Sequence, residues 1–214
     1  MPAKQTSPTS GSRGRPRDPA RVERVIDAAK RAFLADGFER TSVDAIARDS
    51  GISKVTIYNY FPTKRALYAA AMQSADRVEQ VEFAPVRLDP EMPKEGLRRI
   101  ARQFLKFQRD DATLSKHRTI YAEGAAQPEV ALAFYQQGPS RKMSQVAGYL
   151  RACSEAGSLS VRDPDLAAEQ FLCLFFGRGH VKALLGLGKP TAAEDESLVR
   201  SSVDLFLCVY GLGR

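Results

Sequence analysis

Between Ser53 and Lys64 the chain reads Ser-Lys-Val-Thr-Ile-Tyr-Asn-Tyr-Phe-Pro-Thr-Lys, a run in which hydroxyl, amide, phenol and ammonium groups alternate with apolar residues. Groups of this kind bind phosphates and the hydrogen-bonding edges of bases. On a helix begun by Ser53, the residues Lys54, Thr56, Tyr58, Asn59 and Tyr60 include side chains able to face DNA, whereas Val55, Ile57 and Phe61 turn partly inward. Asn59 is the only asparagine in the chain, and its amide matches an adenine edge as well as it matches solvent. Tyr58 suits a phosphate or a thymine methyl. Thr63 and Lys64 stand where a further helix begins, and free N–H groups, the helix dipole and the lysine charge there favour a phosphate. The competing reading is a bundle of short helices with a solvated basic face.

Catalytic and metal chemistry find little support elsewhere. The two histidines, His117 and His180, lie far apart with no HExxH, GxSxG or phosphate-loop pattern around them. Cys153, Cys173 and Cys208 are odd in number and widely spaced, which favours reduced thiols over a disulfide framework or a zinc site. No cofactor and no enzymatic activity are expected; the alternative is an active site assembled only in three dimensions.

The chain has 214 residues, 43% hydrophobic and 27% charged, the make-up of a soluble globular protein with room for a core of its own. Its net charge of +7 is unevenly spread: 13 basic and 7 acidic residues occur through Arg65, against 19 and 18 from Ala66 onward. A basic first third joined to a neutral remainder implies that one region meets DNA or an anionic membrane surface while the rest does something else. The N-terminus has no apolar run resembling a signal-peptide core. The longest apolar stretch, Phe171 to Leu187, is interrupted by Arg178, His180 and Lys182 and is too short to span a bilayer. A cytoplasmic protein with no membrane partner is expected.

The elements that must position the polar run are helical. Residues 1–17, rich in Ser, Thr, Pro, Gly and Arg, read as a disordered basic tail carrying Arg13, Arg15 and Arg17. Asp18-Pro19 opens a first helix whose Val22, Val25, Ile26, Ala29 and Phe33 recur at helical spacing until Gly37. Thr41 or Ser42 caps a short second helix ended by Gly51, and Ser53 caps a third, so two short helices flank a glycine turn in the outline of a helix-turn-helix. A fourth helix runs from Lys64 to about Phe83, and Pro85, Pro90 and Pro93 mark a linker. Five more helical stretches follow: one with Leu97 to Leu105 as its stripe, Thr113 to Ala126, Pro128 to Gln137, one through Met143 to Leu150, and Pro164 to about Leu187. Thr191 opens the last. The predicted fold is all-α, with a tail at 1–17, a three-helix helix-turn-helix domain at 18–64 and a helical bundle at 65–214.

Residues 41–72 resemble the N-terminal signature of the TetR family of bacterial transcriptional regulators, in the pattern T-S/T-x-x-x-I-A-x-x-x-G-x-S-x-x-T-x-Y-x-x-F-x-x-K-x-x-L. The resemblance implies a helix-turn-helix domain on an all-helical effector-binding and dimerisation domain, used most often as a ligand-released repressor. An activator or a ligand-independent regulator of the same fold is the alternative. The DNA-facing set it implies is Thr41 or Ser42, Ser53, Lys54, Val55, Thr56, Tyr58, Asn59, Tyr60 and Lys64. Val55 stands where the family often has a small residue, and Arg65 where it often has an acidic one. The implied partners are a double-stranded operator, a second copy of the chain and a small-molecule effector.

The C-terminal two thirds are similar to the AefR-like subgroup of that family at Arg118, Tyr121 and Glu123, at Pro128-Glu129-Val130, at Phe134-Tyr135 before Gly138-Pro139, and at Asp163-Pro164 before Ala167-Ala168. Phe104, Phe107, His117, Arg118, Tyr121 and Tyr149 are the candidate effector contacts, polar or aromatic groups on otherwise aliphatic stripes. The apolar run about Phe171 exceeds one intramolecular face. The resemblance implies that the last two helices pair with their twins in a four-helix dimer interface, for which Phe171, Phe175, Leu184, Val203, Phe206 and Tyr210 are the candidates; the alternative is a central helix fully buried within a monomer.

Overall fold

A computed structural model describes residues 18–82 and 88–212, with the side chains of 73 and 75–82 excepted. The expected tail with its arginines, Phe83 at the expected end of the fourth helix and Pro85 of the expected linker lie outside the described residues. Eleven α-helices and one short 3-10 turn make up the regular structure of the described residues, which include no strand beyond an isolated bridge between Leu159 and Gly211.

Helix α1 (Pro19–Arg40) starts where Asp18 accepts a hydrogen bond from the Ala20 N–H at 3.1 Å and Pro19 takes the first turn. At Gly37 it breaks: φ 78° and ψ 174° lie in a region essentially reserved for glycine. Helix α2 (Val43–Ser50) is capped by Ser42, and Gly51 follows it at φ 67°. This left-handed residue turns the chain into α3 (Lys54–Tyr60), capped by Ser53. Thr63 caps α4 (Lys64–Glu82) by accepting from the Ala66 N–H. One core gathers Val25, Ala29 and Phe33 of α1, Ile46 of α2, Ile57 of α3, and Leu67 and Tyr68 of α4. It extends through Ala71 and Met72, so the domain boundary expected after residue 64 falls inside a continuous apolar cluster.

Two more helices join that core from the C-terminal side. Helix α6 (Asp111–Glu123) contributes Ile120, and α7 (Pro128–Gln137) contributes Val130 and Phe134. A second core is built by α5 (Pro93–Gln108), α8 (Pro139–Glu155), α9 (Pro164–Cys173) and α11 (Ala192–Tyr210), around Leu97, Phe104, Leu150, Phe171 and Phe206. The C-terminal helix begins at a full capping box, Thr191 and Glu194 each satisfying the other's backbone N–H.

The single helix expected from Pro164 to Leu187 is instead two. It ends at Cys173, a turn follows, and α10 (Arg178–Leu184) starts afresh behind Gly177, whose backbone is extended. Gly177 and Gly179 are poor helix formers placed close together. The Arg118 guanidinium holds the far end of α10 by donating to the carbonyls of Leu184 at 2.6 Å and Ala183 at 3.0 Å. A hydrophobic run that looked apolar all round is therefore divided between an inward α9 and a more exposed α10.

The break in α1 generates a stability prediction. Gly37→Ala forces a β-carbon into a backbone conformation it resists, and the expected loss is about 1–3 kcal/mol. A thermal melt checks this, and an unchanged midpoint would show that the break relaxes freely.

Candidate nucleic-acid interface and ligand cavity

Helix α3 presents its N-terminal turn outward. Val55 is 72% exposed, Lys54, Tyr58 and Asn59 are exposed, and Thr56 and Tyr60 are half-buried. Ile57 alone of this helix is fully inside. The expectation that Val55 turns inward is thus corrected: a register that buries Ile57 carries its neighbour to the open face. Ser42 and Ser53 are exposed at the caps of α2 and α3, donors and acceptors beside the same surface. Lys54 pairs with Asp44 of α2 at 2.9 Å, which raises the lysine pKa through that hydrogen bond and the carboxylate charge.

Of the residues expected to face DNA, Thr41 is turned inward, and the half-buried Lys64 is engaged by the end of α1. Thr41 is 3% exposed, and its hydroxyl donates to the carbonyls of Gly37 at 2.7 Å and Ala32 at 3.2 Å. Lys64 donates from Nζ to the Glu39 carbonyl at 3.2 Å and lies 4.4 Å from the centre of the Phe38 ring. Both close the end of α1, because the break at Gly37 leaves carbonyls there that need donors.

The same break is served from the other side by α6. Glu123 accepts from the Phe38 N–H at 3.2 Å, and Ser115 donates to the Leu34 carbonyl at 3.0 Å. Phe38 in turn meets the rings of Phe33 and Tyr68. Burial and the nearby Glu123 charge push the Tyr68 phenol up to about 12. Glu123 was visible in the sequence as a matched residue without a role; its partner is an N–H freed by a glycine 86 positions away in the chain, which no local pattern reveals.

Between these two contacts α6 also lines a cavity of about 130 Å³. Phe104, Phe107, His117 and Tyr121, four of the six expected effector contacts, border it. His117 stacks on Tyr121 at 5.7 Å and meets Phe134 and Phe107 edge-on at 5.5 and 6.3 Å. Arg118 and Tyr149 are elsewhere: Arg118 caps α10, and the Tyr149 hydroxyl donates to the Asp89 carbonyl at 3.1 Å with its ring seated over Gly96. Sequence reasoning missed Phe134, Gln108 and above all Lys142, which is buried with Nζ 3.5 Å from the Phe107 ring centre. A buried lysine breaks the rule by which sequence assigns charge to the surface. A second, more open cavity of about 350 Å³ between α10 and α11 is larger but is walled mostly by polar and charged groups, among them Arg109 paired with Asp195 and Lys189 paired with Asp111. The apolar cavity is the better ligand site for that reason.

Four of the six expected dimer contacts belong to the protomer's own interior. Phe171, Phe175, Val203 and Phe206 are buried in the second core, while Leu184 and Tyr210 are half-buried. Open apolar surface lies beside that buried face of α11, where Leu205 and Val209 follow at i and i+4 with Val209 68% exposed, and Leu212 stands just beyond the helix end.

A glycine-turned pair of short helices with an exposed second helix, set on a helical body that encloses an apolar cavity, defines a DNA-binding regulator of the helix-turn-helix class. Residues 25–71 match the profile of bacterial regulatory proteins of the tetR family, and residues 95–212 match that of the AefR-like transcriptional repressor C-terminal domain. The chain belongs to the TetR family, whose members are transcriptional regulators and not enzymes. It is 33% identical to the flavonoid-responsive regulator FrrA, with a TM-score of 0.80 over 92% of this chain and all of that one. A TetR-family regulator from Pseudomonas syringae pv. tomato DC3000 is 25% identical, with a TM-score of 0.71 over 89% of this chain and 97% of the other. The uncharacterized HTH-type regulator YhgD of Bacillus subtilis is 24% identical over 160 residues, 72% of this chain and 80% of that protein. Among the described residues no helix is long and apolar enough to cross a membrane, and no cluster of His, Cys, Asp or Glu is arranged to hold a metal.

The cavity generates a pH prediction. Burial, then the charges of Lys116, Lys142 and His180, push the His117 imidazole down to about 3, so it is neutral in the folded protein wherever an unfolded chain would protonate it below about 6.5. Its contribution to stability is full above that value and declines as pH falls toward 3, by about 1.4 kcal/mol per pH unit. His180 is depressed in the same direction. Urea melts between pH 6.5 and 4.5 are expected to show His117→Phe flattening the slope by close to one proton; an unchanged slope contradicts the assignment.

Proposed function

We propose that the chain is a homodimeric repressor that lays α3 of each protomer in the major groove of a near-palindromic operator and leaves it when a small molecule enters the α6 cavity. The observation that carries this reading is that one helix does both tasks. Helix α6 offers His117 and Tyr121 to the cavity and, through Ser115 and Glu123, hydrogen-bonds the helix on which the reading head is built. A ligand that shifts α6 changes α1, and DNA and ligand then favour different arrangements of the dimer. The residues proposed for DNA are Ser42, Ser53, Lys54, Val55, Thr56, Tyr58, Asn59 and Tyr60, with half-sites about 34 Å or a multiple apart. The name of FrrA supports an aromatic effector, and the AefR-like profile supports repression over activation.

The second copy is proposed to cover Leu205, Val209 and Leu212. Val209→Glu places a charge at the centre of that patch and is expected to halve the mass in sedimentation and to cost most of the operator affinity. A variant that stays dimeric would put the interface elsewhere.

Binding to the DNA flanking the chain's own gene, followed by gel shift against salt, tests the reading directly. Lys54→Ala is expected to lower the salt slope by about one unit, while Lys64→Ala is expected to act mainly through thermal stability. Glu123→Ala is expected to keep operator binding within several-fold but to blunt its release by ligand. Sequence-blind binding by the wild type, or full release in the Glu123 variant, would refute the corresponding part.

A further inference from the structure

The polar side chains that open α3 are already engaged within the protein, and beside them stands an exposed apolar one. Ser53 Oγ accepts from the Thr56 N–H at 3.2 Å and shares a hydrogen bond with the Thr56 hydroxyl at 2.8 Å. Lys54 is held by Asp44 of α2 at 2.9 Å. Val55 is 72% exposed, more than any other large apolar side chain among the described residues. A single exposed valine is ordinary on a protein surface. This one occupies the turn whose side chains meet base edges when a helix-turn-helix docks, at a place where a β-branched residue adds little to helix stability.

We propose that Val55 is a specificity-determining residue of the DNA site and reads the C5-methyl of a thymine in each operator half-site. The proposal rests on α3 entering the major groove and goes further by naming the base feature that its first turn selects.

The chemistry of the groove leaves a valine little else to recognise. The thymine methyl is the apolar group displayed there, and the other features of the four bases are donors and acceptors. Pressed on the N4 amine of cytosine or on N7 and O6 of guanine, an isopropyl group strips water from a polar edge and returns no hydrogen bond. Against a methyl, both partners withdraw apolar area from water and no polar group is stranded. The same side chain therefore attracts thymine and disfavours its competitors, the two ingredients of specificity. Asn59 is also exposed and shares this face of α3 at i+4. Its amide suits the hydrogen-bonding part of the readout.

An operator is first selected from random DNA with the full chain. Each thymine is then replaced by uracil in both half-sites, which removes the methyl and leaves every hydrogen-bonding group. At one thymine the wild type is expected to lose about fourfold per half-site, about fifteenfold for the pair, the contribution of one buried methyl. Val55→Ala, which removes no core packing, is expected to bind the thymine and uracil operators within about twofold of each other there while keeping the penalties for changes elsewhere. Val55→Thr, retaining one of the two methyls, is expected to fall between. On the unaltered protein, cytosine at that position is expected to weaken binding and 5-methylcytosine to recover about fourfold per half-site. A selected half-site without thymine, uracil tolerated at every position, 5-methylcytosine no better than cytosine, or an undiminished thymine preference in both variants overturns the methyl readout and leaves α3 as the DNA-reading helix. Failure to select any sequence overturns both.

Discussion

Among the described residues, the hydrogen bonds that tie the helix-turn-helix core to α6 meet at the broken end of α1. The chain leaves helical geometry at Gly37, and the polar groups released there must be satisfied in a partly buried place. The Thr41 hydroxyl takes the Gly37 carbonyl, Lys64 takes that of Glu39, and the Glu123 carboxylate takes the Phe38 N–H. Three side chains are thereby tied to three consecutive residues of α1. The Phe38 ring, held beside Phe33 and Tyr68 with the Lys64 charge above it, fixes the angle at which the chain proceeds to α2. Remove the glycine conformation and each of these partners is in the wrong place.

This constraint explains why the two apolar cores are not two independent domains. Ile120, Val130 and Phe134 lie in the sequence region of the helical body yet pack with the helix-turn-helix core. Phe134 also borders the cavity and stands edge-on to His117. A side chain shared by the DNA-binding core and the ligand cavity cannot shift for one without being felt by the other, since protein interiors are close-packed.

The parts of the fold governed by local rules were legible from the residues alone. Ser53, Gly51 and the apolar period of α2 and α3 specify the helix-turn-helix because caps, left-handed glycines and spacing act within a few positions. The exposed face of α3 followed except at Val55, where an apolar type suggested burial and the register of Ile57 decided otherwise. The residues that the structure engages elsewhere than expected share one cause: a partner distant in sequence. Thr41 and Lys64 looked like phosphate ligands because hydroxyl and ammonium groups at helix starts often are, and only the break in α1 gives them other carbonyls to serve. Phe171 and Phe175 look surplus to one face when Pro164 to Leu187 is taken as one helix, and Val203 and Phe206 join them only through the family resemblance of the last two helices. Divided at Gly177, that segment uses its α9 half to fill the protomer's own core. Tyr149 and Arg118 were drawn toward the cavity by their chemistry, but Asp89 and the end of α10 claimed them.

The strength of the α1–α6 seam suits the regulation proposed for it. A net hydrogen bond contributes about 0.5–1.5 kcal/mol, with bonds to a charged group toward twice that. The neutral contact from Ser115 and the carboxylate contact from Glu123 therefore sum to a few kcal/mol at most. Coupling free energies between sites in regulated proteins are about 1–3 kcal/mol. A much stronger joint, such as a fully buried ion pair, would hold α6 in one position against any ligand that a cavity of about 130 Å³ can bind. A purely apolar contact would let the helix slide without selecting a position. Two directional bonds flanking His117 and Tyr121 lie between these limits: they define where α6 rests, at a strength inside the range over which the proposed coupling operates.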